Sequence, residues 1–274
     1  MRAVATLSFN YACTRISETV ERITSRVKRE SKNKTEIAGW RVQMRDYVLW
    51  FEGKQHLHGV PPPKDEGKCL SSDCVVKNSC MTWNRIHQQV KYLHDLRLTP
   101  NAFAGGTILD VGAGPHPAAL CFEDCEIYGL DHLMRYYARM GFPMNEYGAR
   151  YHFIDGKAER MPFESSFFDA VIAVNALDHV DDIRSAAREI RRVLKPNGKV
   201  RFIVEYHDPT VAEPLRLDDE SILESFFWVK GLRKISESAI DWSFGSSLQQ
   251  GEGGKAATMN ERMAHKWFVV WSNF

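Results

Sequence analysis

No run of 18 apolar residues occurs in the 274-residue chain, so a hydrophobic helix long enough to cross a bilayer is not expected. A secretory signal is not expected either. The opening MRAVATLSFNYACTR has one early Arg, and Ser8, Asn10 and Tyr11 break its mildly apolar stretch. Glu18 and Glu21 dilute the acid-poor character that a transit peptide at 15–29 needs. An excess of one charge sign is also missing, with 36 Lys and Arg against 35 Asp and Glu. The six cysteines show no paired repeat. Cys69, Cys74 and Cys80, near His56, His58 and His87, leave gaps of four and five residues, at and beyond the upper end of the two to four typical of structural zinc sites. No metal is therefore expected, and reduced thiols in a cytoplasmic protein are. Cys121 and Cys125 read as small core hydrophobes.

The halves of the chain differ. Residues 1–100 carry seven more basic than acidic side chains, whereas the remainder is acidic. That excess could attract an anionic acceptor, a nucleic acid or an anionic surface, and a solvated helical face explains it equally well. The interleaved aromatic and basic platform of single-strand binders is absent, which makes nucleic acid an unlikely partner. Ile16, Val20, Ile23 and Val27 form an apolar stripe that predicts a helix over 15–34, and the aromatic-rich stretch Trp40–Phe51 predicts a second. Residues 53–80, with Pro61-Pro62-Pro63 and several Gly and Ser, read as a long irregular connection. Trp83–Leu96 reads as a third helix. The division is an N-terminal helical cap over 1–100 and one α/β domain over 101–274.

The richest stretch is Ile108-Leu109-Asp110-Val111-Gly112-Ala113-Gly114-Pro115. An apolar strand, Thr107 to Val111, runs into two glycines that let the backbone turn sharply and approach a ligand. Pro115 is expected to open a helix, because the first helical turn needs no N–H there. A second strand, Glu126 to Leu130, carries Asp131 at its tip, 19 residues after Gly112, the spacing at which a carboxylate meets ribose hydroxyls. Strands and helices alternate from here on, which predicts a parallel sheet covered on both faces. Helix Ile183–Leu194 starts after Asp181-Asp182 and stops at Lys195-Pro196-Asn197-Gly198. Lys230–Ile240 and Lys266–Phe274 read as strands, with the intervening GSSLQQGEGGKAAT expected to be flexible.

The glycine turn and Asp131 resemble the first two motifs of the class I methyltransferases that use S-adenosylmethionine (SAM), and three later stretches continue the resemblance in order. FIDGKAERMPF at 153–163 is similar to the adenine-binding loop, FFDAVIAVNALDHV at 167–180 to the fourth strand and its acceptor-facing turn, and IRRVLKPNGKVRFIV at 190–204 to the helix, turn and fifth strand. The resemblance is strongest to the small-molecule branch called type 11 and covers about 107–208. It implies an α/β fold with a doubly wound, mostly parallel seven-stranded sheet, Rossmann-like, closed by an antiparallel pair. SAM is the implied cofactor. The implied binding residues are Asp110, Gly112, Ala113, Gly114, Asp131, His132, Ala158, Glu159 and Asn175. A nicotinamide or flavin dinucleotide uses a similar first turn; the later motifs are what favour SAM. Two positions depart from the family pattern. His116 stands where a third glycine is usual, and Lys157 where the adenine loop often has an acid.

Methyl transfer from a sulfonium is an in-line displacement, so positioning alone removes much of the barrier. A base helps an acceptor of high pKa. His179, after the fourth strand, and His207, after the fifth, are the candidates, with Asp178 and Asp208 beside them. Asn175 and Tyr206 lie at the same sheet edge. Asp169 begins its strand and reads as structural, and Glu159 could cap its loop instead of touching a ligand. The expected activity is methylation of a small-molecule or saccharide-type acceptor. An RNA or other anionic-polymer acceptor, and a SAM-binding scaffold without catalysis, stand as alternatives. The oligomeric state is not legible.

Overall fold

The structure is a computed structural model that describes residues 2–64, 71–239 and 267–274, with side chains described for 27–64, 71–237 and 268–274. The flexible segment expected at 245–258 lies outside the described residues, as do Cys69 and the side chains of Ile16, Val20 and Ile23.

A single helix, α1 (Arg2–Phe51), replaces the two expected. Gly39 lies between the two expected helices, but one glycine costs a helix only about 1 kcal/mol and does not end it. After α1, Leu57 and Val60 pair with each other, and Trp50 Nε1 donates to the carbonyls of Val60 (3.2 Å) and Pro61 (3.0 Å). The irregular connection expected over 53–80 is shorter than that. Helix α2 (Ser72–Trp83) begins inside it, with Ser71 as N-cap accepting from the Cys74 N–H and Asp73 in the first turn. The serines that read as loop are a cap. Trp83 ends α2 instead of starting a helix; a π-helical turn, Asn84–Gln88, leads into α3 (Gln89–Leu96).

The remaining elements are β1 (Thr107–Val111), β2 (Glu126–Asp131), α4 (Met134–Met140), β3 (Tyr151–Asp155), β4 (Phe168–Val174), α5 (Ile183–Val193), β5 (Leu194–Tyr206), α6 (Asp219–Ser225), β6 (Arg233–Ala239) and β7 (Trp267–Ser272). They build a seven-stranded sheet in the order β3-β2-β1-β4-β5-β7-β6. The first five strands in that order run parallel, and β7 lies antiparallel between β5 and β6. This is the doubly wound α/β fold with an N-terminal helix. Four of the five β1 residues and six of the seven in β4 are buried, as strands covered on both faces must be. The order reverses between β1 and β4, and ligands of open α/β sheets bind at such a reversal.

One expected helix is not there. Residues 115–117 are irregular, and only a 3-10 turn, Ala118–Cys121, follows. His116 precedes Pro117, and the ring of a following proline bars the α region, so no helix can start at Pro115. The expected stop at Lys195–Gly198 also moves. Leu194 is already extended and pairs with Phe168, so α5 ends one residue early and β5 begins there.

Candidate functional site

The glycine turn after β1 is tight because its surroundings demand it. Gly112 has φ +70°, and a Cβ there would lie 2.2 Å from the Ala176 Cβ. Gly114 has φ +63°, with the Trp40 ring 3.2 Å from the place of its Cβ. Both conformations favour glycine, and the first is closed to any side chain. The turn's N–H groups are used inside the protein: Gly112 and Ala113 donate to the Leu130 carbonyl (2.8 and 3.2 Å) and Gly114 to Asp131 Oδ2 (3.0 Å).

Asp131, 8% exposed, also accepts from the Leu133 N–H (2.8 Å) through Oδ1, while the Tyr137 hydroxyl lies 3.4 Å from the same oxygen. Burial raises its pKa, partly offset by His132 and the two backbone donors. Asp110 sits one layer below the turn, fully buried, with the Tyr92 hydroxyl 3.3 to 3.4 Å from its oxygens. Burial pushes its carboxyl up to about 8, against the Tyr92 hydrogen bond and with a contribution from Asp131.

A cavity of about 430 Å³ opens over the ends of β1, β2 and β4. Gly112, Gly114, Asp131, His132, Ala158, Glu159, Asn175 and His179 line it. Ala113 lines a second cavity of about 290 Å³ that meets the first at Gly112, Gly114, Asn175 and Trp40. Of the expected site residues, Asp110 and His207 line neither. His116, at the position of the family's third glycine, is buried in the wall of the second cavity among Trp40, Tyr47 and Phe142. Burial pulls its pKa down to about 3, so the ring is neutral. Lys157 turns to Asp181 (2.6 Å), and Glu159 caps the neighbouring turn by accepting from the Asp181 N–H (2.6 Å).

The wall missed by sequence reading comes from α1. Arg29, Lys32, Asn33, Glu36, Trp40 and Gln43 face the cavity along one side of the helix. Their spacing of three and four was visible, but the charge excess of residues 1–100 left a solvated face and a ligand-facing one equally open. Lys32 donates to the His179 carbonyl and pairs with Asp181 (3.7 Å). Glu36 lies between two histidines, 3.3 Å from His132 Nε2 and 3.2 Å from His179 Nδ1. Burial alone would raise its pKa, but hydrogen bonds from these histidines outweigh it and hold the carboxyl at about 2.

At the far end of the cavity Asn175 takes φ +52°, a left-handed conformation that Asn tolerates better than most residues, and its Nδ2 donates to Glu205 Oε1. His179 Nε2 is 3.7 Å from Asp178 Oδ2 and 3.8 Å from Glu213 Oε1. Burial would lower its pKa; the Glu36 hydrogen bond and the Asp178 charge push it up to about 9. His207, 2% exposed, donates from Nδ1 to the Asp208 carbonyl (2.7 Å). Its Nε2 lies 3.8 Å from Asp178 Oδ2 and 3.6 Å from Glu213 Oε2, and the Asp178 carboxylate raises its pKa. Tyr206 is buried away from this edge, its hydroxyl donating to Asp219 (2.9 Å). Asp169 is a structural clamp: it accepts from the Thr107 N–H (2.9 Å) and binds Lys195 (2.8 Å). Cys121 and Cys125 are buried free thiols, and Cys80 is buried in α2.

Comparison with known proteins agrees with this architecture. A family model described as a methyltransferase domain matches residues 109–202. An uncharacterized methyltransferase, YcgJ, of Bacillus subtilis is 33% identical over 111 residues, 39% of this chain and 44% of that protein. A sterol 24-C-methyltransferase of Candida albicans is 34% identical over 114 residues, 38% of this chain and 28% of its own length. The chain thus spans less than half the length of these two relatives. The crystal structure of the Bacillus YcgJ protein superposes on 68% of this chain and 97% of its own with a TM-score of 0.48 and 19% identity. Residues 109–202 are thus similar to a methyltransferase domain, and the sequence relatives aligned with part of the chain are methyltransferases by name.

Proposed function

We propose that the protein binds SAM in the 430 Å³ cavity and transfers its methyl group to a small-molecule acceptor. The observation that carries this reading is the placement of the cavity. It sits at the reversal of the sheet, between a glycine turn with no room for a side chain and a buried carboxylate at the tip of β2. Its volume falls in the ordinary range for ligand sites, about 300 to 1,000 Å³. The dinucleotide alternative needs a helix N-terminus with free N–H groups for a pyrophosphate. Here Gly112, Ala113 and Gly114 spend theirs on Leu130 and Asp131, and only a 3-10 turn follows. SAM carries no phosphate and asks for none.

In this reading Asp131 holds the ribose, the Ala158 backbone and the 156–159 loop flank adenine, and the glycine turn takes the methionine end. When bound, SAM supplies an electrophilic methyl on a sulfonium. The protein contributes position, with α1 lying over the site and the 1–100 region acting as its cap. The acceptor enters at the end marked by Asn175, His179 and, behind Asp178, His207. Arg29 and Lys32, the cations nearest, are paired with Asp181, so this end offers little to a polyanion. The name of the Candida relative, a sterol methyltransferase, supports an acceptor of small-molecule size.

Calorimetric titration of the purified protein with SAM, with S-adenosylhomocysteine and with NAD tests this directly. Micromolar binding of the first two and none of NAD is expected. NAD binding without SAM binding overturns the reading.

A further inference from the structure

The acceptor end holds an arrangement that positioning alone does not explain. Asp178 is fully buried, and neither of its carboxylate oxygens has a hydrogen-bond partner. A buried carboxylate left without one costs several kcal/mol unless something compensates it. Its Oδ2 faces two imidazole nitrogens, His179 Nε2 at 3.7 Å and His207 Nε2 at 3.8 Å. From the other side Glu213 faces the same two nitrogens, at 3.8 and 3.6 Å.

The tautomers follow from the outer contacts. His207 Nδ1 meets a backbone carbonyl, which can only accept, so Nδ1 carries a proton. His179 Nδ1 meets the Glu36 carboxylate, which fixes the same tautomer. Nε2 is then the nitrogen on each ring that can lose its proton and offer a lone pair toward Asp178 and Glu213. A proton bridges heavy atoms about 2.7 to 3.2 Å apart, and all four gaps are wider. A cation about 2.1 Å from each donor spans atoms roughly 3 to 4.2 Å apart. A histidine that gives one nitrogen to a carboxylate or carbonyl and the other to a metal is the usual support of a metal ligand.

We propose that Asp178, His179, His207 and Glu213 hold a divalent transition-metal cation at the acceptor end of the cavity, with Glu36 and the Asp208 carbonyl as its supports. Asp178, His179 and Glu213 already place donor atoms within 4.8 Å of one another, and His207 shares Glu213 in a second such trio with Glu205. Two imidazoles with two carboxylates suit Zn²⁺, Mn²⁺ or Fe²⁺ over Mg²⁺. His179 lines the cavity, which gives the cation access to it and leaves a position for an acceptor oxygen. A cation there makes a bound hydroxyl more acidic. The two histidines serve the acceptor as ligands, and no side chain has to act as base. That role rests on the proposed methyl transfer; the cation site itself does not.

The test is metal titration of the metal-stripped, untagged full-length chain, with Zn²⁺ and Mn²⁺ as probes and Mg²⁺ as the control. Metal content after dialysis and a SAM titration of the same samples accompany it. One Zn²⁺ or Mn²⁺ per chain is expected. Asp178→Asn and Glu213→Gln should each lose it while their SAM affinity stays within about twofold, and Glu36→Gln should weaken metal binding 10- to 100-fold. Glu213 lies on a loop, so its variant answers even if the Asp178 variant does not fold. Wild-type protein that binds neither probe, or binds both unchanged in the Glu213 and Glu36 variants, overturns the site. Metal binding without SAM binding would sink the methyl-transfer reading and leave the cation site standing.

Discussion

Asp131 was legible in the sequence as a strand-tip acid at the right distance from a glycine turn, yet its neighbours were not. The carboxylate braces the site as well as facing the cavity, since it holds the Gly114 and Leu133 N–H groups. Asp131→Ala would strand both donors, at about 1 to 3 kcal/mol. Asp131→Asn keeps an acceptor and removes the charge. With an acceptor for only one of the two N–H groups, it should melt between wild type and Asp131→Ala and bind SAM at least tenfold more weakly by calorimetry; wild-type affinity would show that the ribose is held elsewhere. Asp110 gives a prediction in pH. Its folded pKa, near 8, lies above the usual carboxylate value, so the protonated form stabilises the fold. That contribution is complete below about pH 4 and is lost as pH rises through about 8. Denaturant midpoints should fall between pH 5 and pH 9, and Asp110→Asn should flatten that fall.

Elements followed the sequence where their signals were local and failed where a neighbour decided. Helix α5 is the local case: Asp182 accepts from the Arg184 N–H (3.0 Å) and apolar residues recur on one side, so it was readable almost to the residue. Asp182→Ala should cost about 0.5 to 2 kcal/mol of stability through the lost cap and leave SAM affinity unchanged, a loss readable in urea midpoints. Pro115 is the opposite case. Its helix-opening character is real, but Pro117 two residues later forbids the continuation. In α1 the apolar stripe was read correctly as helical, while the part played by Lys32, Glu36 and Gln43 was not read at all. A helix wheel shows which residues share a side and says nothing of what that side will meet.

At the scale of the molecule, α1 and α2 join the sheet through a third apolar cluster. Tyr47, Trp50 and Trp83 from the N-terminal helices pack there with Leu133, Tyr137 and Phe142 around α4. The cavity wall therefore belongs partly to the sheet and partly to α1, and a ligand bound between them binds only the assembled protein. Saturation with SAM at 100 times its Kd should add about 2.7 kcal/mol, a rise in melting temperature on the order of 5 to 11 °C for a chain of this size. A thermal melt with and without SAM checks this. No shift at saturating SAM would mean that the cavity is not where the ligand sits.

The sequence by itself determined the strand order's raw material, the glycine turn, Asp131 and the 156–159 loop, because each depends on residues close together in the chain. The tertiary structure alone decided that Glu36 lies 3.2 Å from His179, 143 positions away, and that Asp178 and Glu213 each lie 3.6 to 3.8 Å from both His179 and His207. Those contacts join α1 to the ends of β4 and β5, and chain spacing carries no information about which distant side chains a fold will bring face to face.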